Sequence, residues 1–112
     1  MSTLRWSLVV LALLIGLGQA WADEKYFVVT PKIDVTVTGT ATLVAVENTF
    51  RMALSCTNNH ASVHVRWGDS AVTATTGQRL PAGTSIEIKA RGAVYMISEG
   101  ANVTVSCTEE AL

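Results

Sequence analysis

Apolar and polar residues alternate with a period of two along most of this chain. Ile33, Val35 and Val37 alternate with Asp34, Thr36 and Thr38, and Phe50, Met52, Leu54 and Cys56 alternate with Arg51, Ala53 and Ser55. Val63, Val65 and Trp67 flank His64 and Arg66, Ile86 and Ile88 flank Glu87, and Val103, Val105 and Cys107 flank Thr104 and Ser106. Such a rhythm, rich in β-branched side chains, predicts strands with one face buried. Less regular strands are predicted over 26–30, 40–47, 72–76 and 93–98. No window after Ala22 repeats apolar residues at the spacing of an amphipathic helix.

The breaks between these runs carry turn chemistry. Thr30-Pro31 divides the first two strands, and Thr38-Gly39-Thr40 makes a tight turn. Asn58-Asn59-His60 suits a hairpin tip, because asparagine tolerates left-handed backbone. Gly68-Asp69-Ser70, Thr76-Gly77-Gln78 and Leu80-Pro81-Ala82-Gly83 punctuate the middle of the chain, and Arg91-Gly92 and Glu99-Gly100-Ala101 are expected to close the last two hairpins. Short strands at regular spacing with turns between them predict an all-β domain. The expected architecture is an antiparallel β-sandwich, or a jelly-roll-like fold, of seven to nine strands.

The beginning of the chain follows a different rule. Arg5 supplies a positive charge, an apolar run occupies 6–17, and Ala20-Trp21-Ala22 offers small residues at a cleavage site. This is the pattern of a secretory signal peptide, and the run is shorter than a membrane-spanning helix needs. The expected mature domain is 23–112, with cleavage after Ala20 as the alternative, since Gly18-Gln19-Ala20 also fits. The membrane is met only through the leader, and the destination is periplasmic or secreted. The 112 residues carry eight Lys and Arg; without Arg5, seven stand against nine Asp and Glu, a net charge of −2. That balance lacks the basic face that nucleic-acid binding requires.

Export changes how the two cysteines are read. Cys56 ends one inward series and Cys107 another, so both are expected inside the domain on different strands. In an oxidising compartment two cysteines usually pair. The predicted Cys56–Cys107 bridge closes a loop of about 50 residues, worth roughly 4 kcal/mol in the chain-entropy model. For a domain this small, with a thin core, that is a large contribution.

Candidate chemistry is sparse. His60 and His64 are four residues apart, which would align them on a helix, but here one falls in a turn and the other on a strand. His64, Asp69 and Ser70 include the residue types of a hydrolase triad, yet Gly68-Asp69-Ser70 reads as a turn with no nucleophile elbow. Two cysteines so far apart lack the paired spacing of a zinc site. No metal, cofactor or catalytic residue is therefore expected. Asn102-Val103-Thr104 is formally a glycosylation sequon.

The aromatic residues sort by position. Trp67 is expected in the core with Val63 and Val65, and Tyr26 and Phe27 beside the mature N-terminus. Tyr95 sits on a strand apolar on both faces, either central or at a contact surface. Together with Arg66 and the outward-facing His64, it forms the candidate contact surface. The threonines Thr36, Thr38, Thr73, Thr75 and Thr104 are expected to cover outer faces.

The segments Val63-His64-Val65-Arg66-Trp67-Gly68-Asp69-Ser70-Ala71-Val72-Thr73-Ala74-Thr75 and Leu80-Pro81-Ala82-Gly83-Thr84, with the upstream strand 51–58, resemble small bacteriophage and prophage virion-associated β-sandwich proteins. The likeness spans about 49–107 and is a pattern of strands and turns. It implies a non-enzymatic structural role, on a virion or a surface, in contact with other proteins or with further copies of the chain. It carries no active residues. The leader and the cysteine pair add the periplasm or cell surface as a setting. Two alternatives stand beside this reading: a small periplasmic or secreted enzyme or inhibitor using His64 and Asp69, and a glycan-binding module.

Overall fold

The computed structural model describes residues 28–31 and 34–112. The expectations for the leader, Tyr26, Phe27 and Ile33 lie outside the described residues. Among the described residues nine strands form: β1 (Val28–Pro31), β2 (Val35–Val37), β3 (Thr42–Ala45), β4 (Arg51–Asn58), β5 (Val65–Gly68), β6 (Gln78–Leu80), β7 (Ser85–Ile88), β8 (Val94–Ser98) and β9 (Val103–Ala111). No helix occurs among the described residues.

Every pairing is antiparallel. One sheet runs β1-β9-β4-β7, with β2 following β1 along β9, and the other runs β3-β8-β5-β6. Only the connections from β1 to β2 and from β5 to β6 stay within a sheet, and all others cross between sheets. Repeated crossing of this kind winds a jelly roll. The inner faces meet in a core built from Val37, Leu54, Cys56, Val65, Leu80, Ile88, Val94, Met96, Val103 and Val105, with Trp67 packed at its margin.

The alternating runs coincide with most of the strands, but β6 forms where turns were expected, and several joints differ from the turn pattern. Asn58-Asn59-His60, Arg91-Gly92 and Glu99-Gly100-Ala101 are not hairpin tips; each carries the chain from one sheet to the other. A turn motif specifies that the chain reverses, not which sheet the next strand enters. The expected strand at 72–76 is a loop instead. Val72 N–H donates to Asp69 O and Thr76 N–H to Thr73 O, while the Thr73 and Thr76 hydroxyls bond each other at 2.8 Å. Threonine side chains that satisfy the local backbone compete with a sheet ladder. The loop ends at Gly77, with φ at 89°, where an added Cβ would come within 2.7 Å of the Trp67 carbonyl oxygen and the Val72 side chain.

The largest departure lies at the start of β4. Phe50 and Met52 were expected inside, yet they are 63% and 44% exposed, and Arg51 is fully buried. The register against β9 shifts between Arg51 and Ala53. This bulge sets two residues of β4 against one of β9 and exchanges the faces upstream of it. The Arg51 guanidinium makes four hydrogen bonds. Nε donates to Glu109 Oε2 at 2.8 Å. Nη1 donates to the carbonyls of Ala90 and Gly92 at 2.7 and 2.9 Å, and Nη2 to that of Val46 at 2.6 Å. Asn48 Nδ2 also donates to Glu109 Oε1.

Asn58 does the equivalent work at the far end of the same strand. It is fully buried, and its Nδ2 donates to the carbonyls of Val63 and Leu80 at 3.0 and 3.1 Å. Its Oδ1 accepts from His60 N–H. Between these two residues, Cys56 lies directly opposite Cys107 on β9. The two are joined by a disulfide, with their Cα atoms 4.1 Å apart.

Two predictions follow from this strand. Arg51→Met leaves Glu109 buried without its guanidinium and strips three carbonyls of a donor. It should cost about 3–5 kcal/mol in urea unfolding, the range for breaking a buried ion pair from one side. Replacing Glu109 by leucine as well should recover only part of that, since the carbonyls stay undonated. The double variant Cys56→Ala/Cys107→Ala should lose up to about 4 kcal/mol, the loop-closure value for a separation of 51 residues. Thiol titration of the unfolded wild type should find no free sulfhydryl.

Candidate functional site

The residues predicted to form a contact surface do share one face. Alternation along β5 turns Val65 and Trp67 inward, so His64 and Arg66 face out. On β8, Val94 and Met96 face in, so Tyr95 faces out beside Leu43 and Gly68, its partners on β3 and β5. Arg66 lies opposite Ile97 and Arg79. The outer face of the β3-β8-β5-β6 sheet therefore has an apolar side, with Leu43 44% exposed, and a charged side.

Glu99 organises the charged side. Arg79 grips it through two hydrogen bonds of 2.9 and 2.8 Å, and Arg66 Nε lies 3.4 Å from it without hydrogen-bond geometry. Arg66 Nη1 donates to the Gly77 carbonyl. The Arg79 hydrogen bonds hold the Glu99 carboxyl below the ordinary glutamate range; partial burial opposes this, and the charges of Arg79 and Arg66 add to it. His64 Nδ1 accepts from the Ala82 N–H at 3.0 Å, so that nitrogen is occupied in holding the 81–84 turn.

The triad residue types do not meet. His64 precedes β5 and Asp69 follows it, so the strand separates them by roughly 16 Å at about 3.3 Å per residue. Asp69 Oδ1 accepts from Ala71 N–H at 2.8 Å, the side-chain turn expected of Asp at a loop start. His60 Nδ1 accepts from Ser62 and Val63 N–H. No group of three or more His, Cys, Asp or Glu side chains suited to a metal ion occurs among the described residues. The threonines divide: Thr36 and Thr104 pair across β2 and β9 on an exposed outer face, whereas Thr73 and Thr75 belong to the loop.

A second exposed surface went unread in the sequence. The bulge that buries Arg51 turns Phe50 and Met52 to the outside of the β1-β9-β4-β7 sheet. Leu112 N–H donates to Phe50 O, which sets Leu112 beside Phe50, and Leu112 is 60% exposed. Val29, 53% exposed, lies across β9 opposite Glu110, which is also opposite Ala53. The nearest signal in the sequence was Arg51 itself, a charge inside an otherwise apolar alternation.

No family model matches the chain, and no curated protein matches it. Among solved structures it is similar to a chain from Bacillus endospore appendages, described as a novel family of disulfide-linked pili. The identity is 18% and the TM-score 0.45, over 76% of this chain and 86% of that one. That match is to an appendage and not to a phage virion protein.

The Glu99 cluster sets a pH dependence. A carboxyl depressed in the folded state stabilises fully above its unfolded pKa, and that contribution is lost as pH falls through the lower folded value. In a 13C titration, Glu99 should keep its charge below the ordinary glutamate range, and Arg79→Ala should move its midpoint upward.

Proposed function

We propose that this chain is an exported, non-enzymatic structural or binding module that acts through protein–protein contacts. The observation that carries this reading is the exposed apolar group of Phe50, Met52 and Leu112 on the outside of a sheet; Val29 lies on the same face beyond Glu110. Contiguous exposed apolar side chains rimmed by polar ones mark interaction sites. Phe50 and Met52 are exposed because Arg51 takes the interior position. The Tyr95, Arg66 and His64 face supplies a second candidate surface of mixed character.

The setting is extracytoplasmic. The buried Cys56–Cys107 bond supports an oxidising compartment, in keeping with the leader at 1–22. A virion or cell-surface location, as the resemblance to phage β-sandwich proteins implies, is the specific form of this proposal. The separation of His64 from Asp69 supports reading the chain as a binding module over an enzyme.

The test is site-specific photocrosslinking of the full chain in cells that express it. A photoreactive residue at Phe50 or Met52 should give protein adducts, while one at exposed Ala101, at the opposite end of the sandwich, should not. Equal labelling at all three positions, or none at 50 and 52, overturns the reading.

A further inference from the structure

The surface around Met52 is also arranged so that it complements itself. Across the outside of the sheet, Glu110 on β9 lies on one flank of β4. On the other flank, Lys89 follows Ile88, which pairs with Leu54. Glu87 and Lys89 share the outer face, joined by a 3.2 Å ion pair, and the Lys89 side chain is 78% exposed. The row therefore reads negative, apolar, positive. The next row reads Thr108, Ser55, Glu87, and the one after it Ser106, Thr57, Ser85.

We infer that this face docks on the same face of a second copy of the chain, about a two-fold axis lying between the two apposed faces and running along β4. The inference rests on the contact reading above and names its partner. Rotation about that axis exchanges the flanks. Glu110 then faces Lys89 of the second copy, Lys89 faces Glu110 of the second copy, and Glu87 faces Thr108. Phe50 and Met52 lie near the axis and meet their own counterparts. No like charges oppose in these rows. An axis across the strands would instead set Glu110 against Glu110 and Lys89 against Lys89, a juxtaposition that costs affinity. Charge pattern thus selects one of the two in-plane axes, and an isologous contact of this kind closes as a dimer.

Size sets the strength. Four strands about 4.8 Å apart, crossed by the eight residues of β4, span on the order of 500 Å² per copy. That is below the roughly 800 Å² per partner of a standard stable interface, and part of it is a row of hydroxyls. The dimer should therefore be weak and concentration-dependent, populated at high local concentration.

Sedimentation velocity of the oxidised chain lacking 1–22, from about 10 μM to about 1 mM, reads this directly. The expected result is a monomer that converts to dimer over that range. Phe50→Ser/Met52→Ser should abolish dimerisation with unchanged circular dichroism. Glu110→Lys and Lys89→Glu should each weaken it at least tenfold, and the double variant should restore it to within about threefold of wild type. A wild type that stays monomeric throughout, or a dimer that the double charge exchange does not rescue, overturns the inference. Crosslinks from Phe50 to another protein alongside a strict monomer would sink this inference and leave the contact reading standing; absence of both would remove both.

Discussion

The fold depends on burying a guanidinium at the entrance to its central strand. Arg51 could be held in the interior only if its donors found acceptors there, because an unpaired buried charge is among the costliest features a protein can contain. It finds one carboxylate oxygen and three backbone carbonyls. Those carbonyls belong to the segments that follow β3 and β7, both of which cross between the sheets. One side chain thus joins two crossovers to β9. A buried ion pair is a weak argument for stability in itself. Its role here is geometric: it determines where the loops at that end must lie.

β4 carries the same logic along its length. Its inward positions hold Arg51 at one end, Cys56 near the middle of its pairing with β9, and Asn58 at the other end. Leu54 and Cys56 belong to the apolar core, while Arg51 and Asn58 satisfy the loops that a jelly roll must lead over its ends. A sandwich whose strands alternate between sheets has many such crossovers, and their backbone groups need partners when covered. The disulfide then fixes the pairing of β4 with β9, the two strands at the middle of their sheet.

The exposed apolar surface is a by-product of that arrangement. An extra residue in β4 brings Arg51 in and sends Phe50 and Met52 out. The apolar side chains lost to the core lie beside Leu112 on the sheet's exterior. The opposite sheet shows a different balance, with Tyr95 and Leu43 on one side and the Arg79–Glu99–Arg66 cluster on the other. In that cluster one carboxylate faces two guanidiniums, and solvent screens the charge that remains. The surface around Met52 has no comparable internal partner for its apolar groups.

The alternation of apolar and β-branched residues was sufficient to establish an all-β chain, the approximate places of β2, β4, β5, β7, β8 and β9, and the inward placement of Cys56 and Cys107. These follow from local chemistry, because a strand with one dry face must alternate; that β4 and β9 are neighbours, with Cys56 opposite Cys107, was decided by tertiary pairing. The sheet to which each strand belongs, the loop at 72–76 and the faces of residues 50–52 were decided by tertiary structure. Sheet membership depends on pairings distant in sequence, and threonines at 73 and 76 bonded their own loop instead of a neighbouring strand. Arg51 faces inward because acceptors from three separate segments converge on it, and no local pattern records where those segments will meet.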